Sequence, residues 1–86
     1  MNPVPLSTLH TGSLFSDKQQ VFVIVQSANG DDPSVLLLGY GGIKAEKKDK
    51  GFLVTELNYR ERTQVWYLYQ ATLLRIERQF HISIKR

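Results

Sequence analysis

Cysteine is absent from this 86-residue chain, which removes disulfides, thiolate metal sites and cysteine nucleophiles in one step. Histidine is scarce. His10 and His81 are the only two, they do not form a metal-ligand spacing, and nucleophilic catalysis needs a positioned trio that the chain does not offer. No segment approaches the ~20 apolar residues that span a bilayer, so no membrane partner is expected. The opening MNPVPLSTLHTGSLF carries no positive charge and no long apolar run. It lacks the basic start and hydrophobic centre of a secretory signal, and a cytoplasmic protein is expected.

Phosphate-loop and metal signatures are missing too. Gly39-Tyr40-Gly41-Gly42 fits neither GxGxxG nor a terminal Gly-Lys-Ser/Thr, so a kinked strand that displays Tyr40 is the expected reading. The carboxylates fall mostly in turns: Asp31 and Asp32 precede Pro33 and are turn formers first, and calcium needs more oxygen donors at regular spacing. His81 sits beside Gln79 and Ser83 on what reads as a polar strand face. No catalytic, metal-binding or cofactor-binding residue is therefore assigned, and the chain reads as non-enzymatic with no cofactor.

What is present describes an ordinary globular protein, 42% hydrophobic and 22% charged. A chain this short hides roughly 60 to 65% of its unfolded surface, so self-association would add appreciably to stability. Net charge is +3, and the segment Arg75–Arg86 holds Arg75, Arg78, Lys85 and Arg86 against Glu77 alone. That local excess accounts for the whole charge. It suits phosphate or an acidic partner, and equally a solvated edge guarded by cations.

Along the chain, residues 1–18 read as an N-terminal arm or short helical turn, with Pro3 and Pro5 opposing an early strand. Residues 19–86 read as a single small β domain. Val21–Val25 is a continuous apolar run rich in β-branched residues, the pattern of a strand covered on both faces. Ala28–Pro33 is a dense turn signal, and SVLLLGY follows as its hairpin partner. KAEKKDKG then reads as the exposed tip of a second hairpin. GFLVTELNY is a third strand, RER a short connection, TQVWYLY a fourth strand and LRIERQFHISIK the last.

The large apolar residues lie at odd positions from Val65 to Leu73 and at even ones from Leu74 to Ile84. In an extended chain that phase switch demands a corner, because a one-residue slip sends every side chain to the other face. Two readings stay open for residues 63–80. The favoured one is mainly β: a small antiparallel barrel or strongly bent sheet of about five strands. The alternative is α+β, an antiparallel sheet with a C-terminal helix over about 63–80, because Trp66, Tyr69, Leu73, Ile76 and Phe80 also recur at helical spacings.

In the strand reading, the segment VTELNYRERTQVWYLYQATLLRIER resembles the closing part of Src-homology-3-like and Sm-like small β-barrels, where a short helical turn precedes the final strand. The resemblance covers under a third of the chain. It implies a small barrel that works as a binding module for RNA, DNA or peptides, with ring assembly in the Sm-like case.

Two constellations suit binding. Tyr59, Arg60, Arg62, Trp66, Tyr67 and Tyr69 combine stacking surfaces with phosphate partners, with Trp66 expected partly exposed and Tyr67 and Tyr69 mainly buried. Arg75 and Arg78 extend that basic surface, and Lys47 and Lys48, with Lys44 and Lys50, form a hairpin-tip clamp for a nucleic-acid backbone. The leading expectation is a nucleic-acid-binding module for RNA or single-stranded DNA. The alternative is a protein-interaction or homo-oligomeric accessory protein of viral or mobile-element type, assembled by edge-strand pairing through Phe80, Ile82 and Ile84.

Overall fold

A computed structural model describes residues 2–39 and 44–86; the Tyr40 kink lies outside them. The elements among these residues are β1 (Val4–Pro5), β2 (Leu14–Asp17), β3 (Gln20–Gln26), β4 (Ser34–Leu37), β5 (Glu46–Lys47), β6 (Leu53–Glu56) and α1 (Tyr59–Phe80), with a 3-10 turn at Leu6–Thr8. The strands form one antiparallel sheet in the order β1-β6-β2-β3-β4-β5, curled into a half-barrel. The helix packs on one of its faces.

Alternation along β3 explains why its apolar run is continuous. Val23 and Val25 point towards α1 and are buried with Leu14, Leu36, Leu38 and Leu57. Phe22 and Ile24 point the other way and join Phe15, Val35 and Val54 beneath Leu6 and Leu9 of the N-terminal segment. Both faces of the strand are covered, as the sequence implies. The Ala28–Pro33 turn joins β3 to β4, whose registers include Val23 opposite Leu36 and Ile24 opposite Val35.

The N-terminal stretch contains a short helical turn, Leu6–Thr8, and also adds strands to the sheet. Leu14–Asp17 pairs with β3 on one side and β6 on the other, and Pro5 lies in β1, a sheet edge where its missing N–H costs no ladder bond. The tip KAEKKDKG contributes β5, which pairs with β4. β6 does not continue that meander; it crosses to sit between β1 and β2.

Of the two readings for residues 63–80, the molecule takes the helix, and no strand comes after it. The start is fixed by a reciprocal cap: Asn58 Oδ1 accepts the Glu61 N–H at 2.8 Å, and Glu61 Oε1 accepts the Asn58 N–H at 3.0 Å. Such a capping box satisfies two N–H groups that a helix end leaves orphaned. Neither Gly nor Pro occurs after Gly51, and the run from Tyr59 to Phe80 stays helical on both sides of a kink at Tyr69 (φ −122°, ψ 25°). Val65, Trp66, Leu73 and Ile76 are buried against the sheet, with Tyr69 and Phe80 packed beside them. Each buried side chain of this size contributes about 1.5–3 kcal/mol, which outweighs the sheet preference of the VWYLY run. Helical turning also accounts for the phase switch, since Leu73 turns inward and Leu74 outward without any corner.

The helix ends at His81, which is left-handed (φ 54°, ψ 49°), and Ile82 donates its N–H to the Glu77 carbonyl at 3.1 Å, the closing bond of a Schellman-type end. Ser83–Arg86 then runs back along the sheet with Ile84 buried at 3% exposure. Phe80, Ile82 and Ile84 are thus part of the core and its margin, not an open edge. The actual edges, β1 and β5, have two residues each, one carrying proline and the other Glu46 and Lys47. Short, charged or proline-bearing edges resist pairing with other chains.

Candidate interaction surface

The expected binding residues divide into three groups. Arg62 and Trp66 hold the chain together. Arg62 donates from Nη1 to the Leu57 carbonyl at 2.9 Å and from Nε to the Arg86 carbonyl at 3.1 Å. Trp66, expected partly exposed, is buried at 8%, and its indole donates to the Lys85 carbonyl at 3.0 Å. The reason is the period: at 100° per residue Trp66 shares the inward stripe with Leu73, whereas alternation would have placed Tyr67 there.

The hairpin lysines form the second group, and their charges are used locally. Lys47 pairs with Asp31 at 3.3 Å. Lys48 pairs with Asp17 at 3.5 Å, and its ammonium lies 4.4 Å from the Phe52 ring centroid and 5.2 Å from that of Phe22. That cation–π stack sits over the sheet face opposite α1. A shallow cleft of about 460 Å³ opens beside it, lined by Gln20, Phe22, Val35, Leu37, Lys44, Glu46 and Lys48.

Tyr59, Arg60, Arg75 and Arg78 make the third group, all exposed; the three arginines lie on the outer side of α1, while Tyr59 opens the helix with the Arg62 guanidinium 5.8 Å from its ring centroid. The inward positions 62, 65, 66, 69, 73, 76 and 80 fix the opposite side as Arg60, Gln64, Tyr67, Leu68, Ala71, Leu74, Arg75 and Arg78. Tyr67, expected buried, is 84% exposed, and beside it Leu68 is 70% and Leu74 38% exposed. Tyr69 is half-buried against the core as expected. No carboxylate among the described residues forms an ion pair with Arg60, Arg75 or Arg78. Glu61 is engaged in the helix cap and Glu77, at the border of the outer face, with Ile84 N–H and Arg86, so that face carries cations around an apolar centre and its bordering carboxylate is already paired.

Sequence reasoning did not find Leu68, Ala71 and Leu74. Their signal was present: once the inward stripe is taken as helical, the residues at 64, 67, 68, 71, 74, 75 and 78 are its complement, and a solvated helix face would not hold four apolar side chains there.

Two hollows lie on this face. One, about 390 Å³, is lined by Thr63, Gln64, Tyr67 and Leu68; the other, about 290 Å³, by Leu74, Glu77 and Arg78. A third cleft of about 380 Å³ lies elsewhere, between the His10–Ser13 loop, Glu56 and the Ser83–Lys85 tail. Among the described residues no three His, Asp or Glu side chains converge as metal ligands, and no helix is long and apolar enough to cross a membrane.

The chain matches no protein-family model, no curated protein and no solved structure. The curled antiparallel sheet keeps the coarse likeness to small barrels. The segment that carries the Src-homology-3-like and Sm-like resemblance contributes most of β6 and all but the end of α1 in place of two closing strands.

Proposed function

We propose that this protein is a non-enzymatic interaction module of the homo-oligomeric kind, and that copies meet through the outer face of α1. One observation carries the proposal: Tyr67, Leu68, Ala71 and Leu74 form a continuous exposed apolar stripe on the helix. Scattered exposed apolar residues are normal on monomers. A contiguous stripe rimmed by polar residues marks an interaction site.

The area favours a reversible pair. The stripe and its flanking arginines are one side of a single helix, fewer residues than the roughly 20–30 a side of a standard stable interface. A weak association that responds to protein concentration is expected from such a patch. Sheet pairing is a poorer route because both edges are short and guarded.

The test is sedimentation equilibrium on the full chain. The apparent mass rises with concentration towards twice 9.9 kDa, and Leu68→Glu returns it to one chain while leaving the melting temperature unchanged at dilutions where the native chain is a monomer, because Leu68 contributes little to the core. A mass of one chain at several hundred micromolar would overturn the proposal.

A second reading rests on a separate observation, the three arginines without a carboxylate partner. Arg60, Arg75 and Arg78, with Tyr59 and Tyr67 exposed beside them, offer phosphate contacts and stacking surfaces on one helix face. RNA or single-stranded DNA on that face would compete with self-association, so the two readings exclude each other at this surface.

A further inference from the structure

We infer that Phe22, Phe52 and Asp17 form a binding cage for an alkylammonium group on the sheet face opposite α1, that the chain's own Lys48 fills it, and that the cage accepts an outside ammonium once Lys48 is withdrawn or neutralised. This site lies away from the helix face and does not depend on what covers that face. The ligand class is a primary or methylated amine on a flexible stem, recognised by ring faces and one carboxylate.

Strand alternation and a crossing loop build the cage. Phe15 and Asp17 are two apart on β2 and so share a face, and Phe15 lies opposite Phe22 of β3. Their rings stack with centroids 5.1 Å apart and planes 9° from parallel, and because Phe15 is fully buried it fixes the Phe22 ring. The chain leaves β5 at Lys48, crosses this face to reach β6, and carries Phe52 with it. Backbone hydrogen bonds tie that crossing down: Leu6 donates its N–H to the Phe52 carbonyl at 2.8 Å, Ser7 to that of Lys50 at 2.8 Å, and Phe52 to that of Asp49 at 3.0 Å. Both rings are thus held by contacts that do not involve the Lys48 side chain.

Lys48 is placed as a ligand would be. Its ammonium lies 4.4 Å from the Phe52 centroid, 5.2 Å from the Phe22 centroid and 3.5 Å from Asp17 Oδ2. Its side chain is 23% exposed and that of Asp17 19%, against 60% and 83% for the neighbouring Lys47–Asp31 pair. That shielding separates the two lysines: an exposed ion pair contributes little, whereas a desolvated ammonium over ring faces gains from each of them. No other cation among the described residues pairs with Asp17. Removing the Lys48 ammonium therefore leaves a half-shielded carboxylate and two ring faces without a cation. Ring faces are negative, and together with the carboxylate they exclude phosphate from this spot despite the lysines nearby. The cleft of about 460 Å³ bordered by Phe22 and Lys48 is the way in.

Being tethered, Lys48 competes at an effective concentration on the order of millimolar or above, so the unmodified chain keeps the cage closed to dilute amines. Any event that takes the charge off Lys48 opens it. Acetylation is one such event, because it removes the ion-pair and cation–π donor together.

The test is chemical rescue of Lys48→Ala by n-propylammonium, the part of the lysine side chain that alanine lacks. Melting temperatures are read across a titration with n-propylammonium chloride, against sodium chloride at the same ionic strength and against 1-propanol. Lys48→Ala is expected to melt below the native chain and to recover about half of that loss or more, saturably, with n-propylammonium only. The native chain should show no more than the salt response, and adding Phe52→Ala to Lys48→Ala should abolish the recovery. If Lys48→Ala does not fold, Lys48→Gln, which keeps most of the stem and carries no charge, takes its place in the same titration. Equal responses of the variant to n-propylammonium and to sodium chloride would overturn the proposal, and so would recovery by 1-propanol. A native chain as responsive as the variant would overturn it too, because Lys48 would then not occupy the cage.

Discussion

The indole Nε1–H of Trp66 donates to the carbonyl oxygen of Lys85 at 3.0 Å, and the guanidinium of the next residue, Arg86, lies 3.8 Å from the ring centroid. Helix and tail are joined through this ring, so Trp66 is a clasp and not a platform for bases. Trp66→Phe leaves the Lys85 carbonyl unpaired and is expected to cost about 1–2 kcal/mol in urea unfolding. Trp66→Ala also opens a cavity and is expected to cost about 3–5 kcal/mol. Amide exchange at Ile84 and Lys85 should accelerate in both variants ahead of the sheet amides. A loss below 1 kcal/mol for Trp66→Ala would show that the tail is not part of the core.

Gly12 is where the tail crosses the sheet. Its φ is +92°, and a Cβ built on it would run into the Ser83 carbonyl oxygen, which is backbone and cannot swing aside. The Gly12 carbonyl in turn accepts the Lys85 N–H at 2.8 Å. Gly12→Ala therefore combines a strained dihedral with displacement of the returning chain. It is expected to destabilise by at least about 2 kcal/mol in thermal or urea unfolding, whereas Gly30→Ala, with a positive φ but open space around it, should lose only about 1 kcal/mol.

Several parts of this fold were legible because their signals are local. The Val21–Val25 run and the Ala28–Pro33 turn state a two-faced strand and its hairpin outright, and β3 and β4 result. Residues 59–80 were ambiguous for a physical reason: aromatic and β-branched residues favour sheets, and a helix can override that preference when its inward stripe buries enough surface. The deciding signal was Asn58-Tyr59-Arg60-Glu61, an Asn followed three residues later by Glu, which is a capping box in plain sequence. The placement of β6 between β1 and β2 had no such signal, because it is set by long-range pairing. The outer face of α1 became legible only after the helix was known, since alternation puts Leu68 opposite the odd-numbered set and Leu74 into the even-numbered one, and so never shows them as one face.

The β2–β3 hairpin shows a different kind of illegibility. Its two loop residues, Lys18 and Gln19, both have positive φ, 50° and 67°, and Asp17 pairs directly with Gln20. That is the geometry of a two-residue type I′ turn, for which Asn-Gly is the favoured sequence. Nothing in Lys-Gln announces it, and the chain sustains the strain because β2 is held on both sides. Lys18→Asn with Gln19→Gly is expected to stabilise the protein by about 1 kcal/mol, read as a rise in melting temperature of several degrees. No rise would mean that the turn opens in solution.

Nucleic-acid binding on α1 makes a quantitative demand on salt. If Arg60, Arg75 and Arg78 each neutralise one phosphate of a single strand, the logarithm of the association constant should fall against the logarithm of salt concentration with a slope of about −2. Replacing all three by alanine should flatten that slope, and it should free the apolar stripe without touching the core. Lys47→Ala with Lys48→Ala should leave the slope unchanged, because Lys47 is paired to Asp31 and Lys48 is stacked over the opposite sheet face. The measurement is fluorescence anisotropy of a labelled oligoribonucleotide at several salt concentrations. Its decisive companion is sedimentation of the chain with the oligoribonucleotide: an RNA held by these arginines must suppress pairing of the protein chains, while an RNA that binds with the pair intact uses another surface. Absence of any salt-sensitive binding at micromolar protein removes the nucleic-acid reading and leaves the helix face to a second copy of the chain.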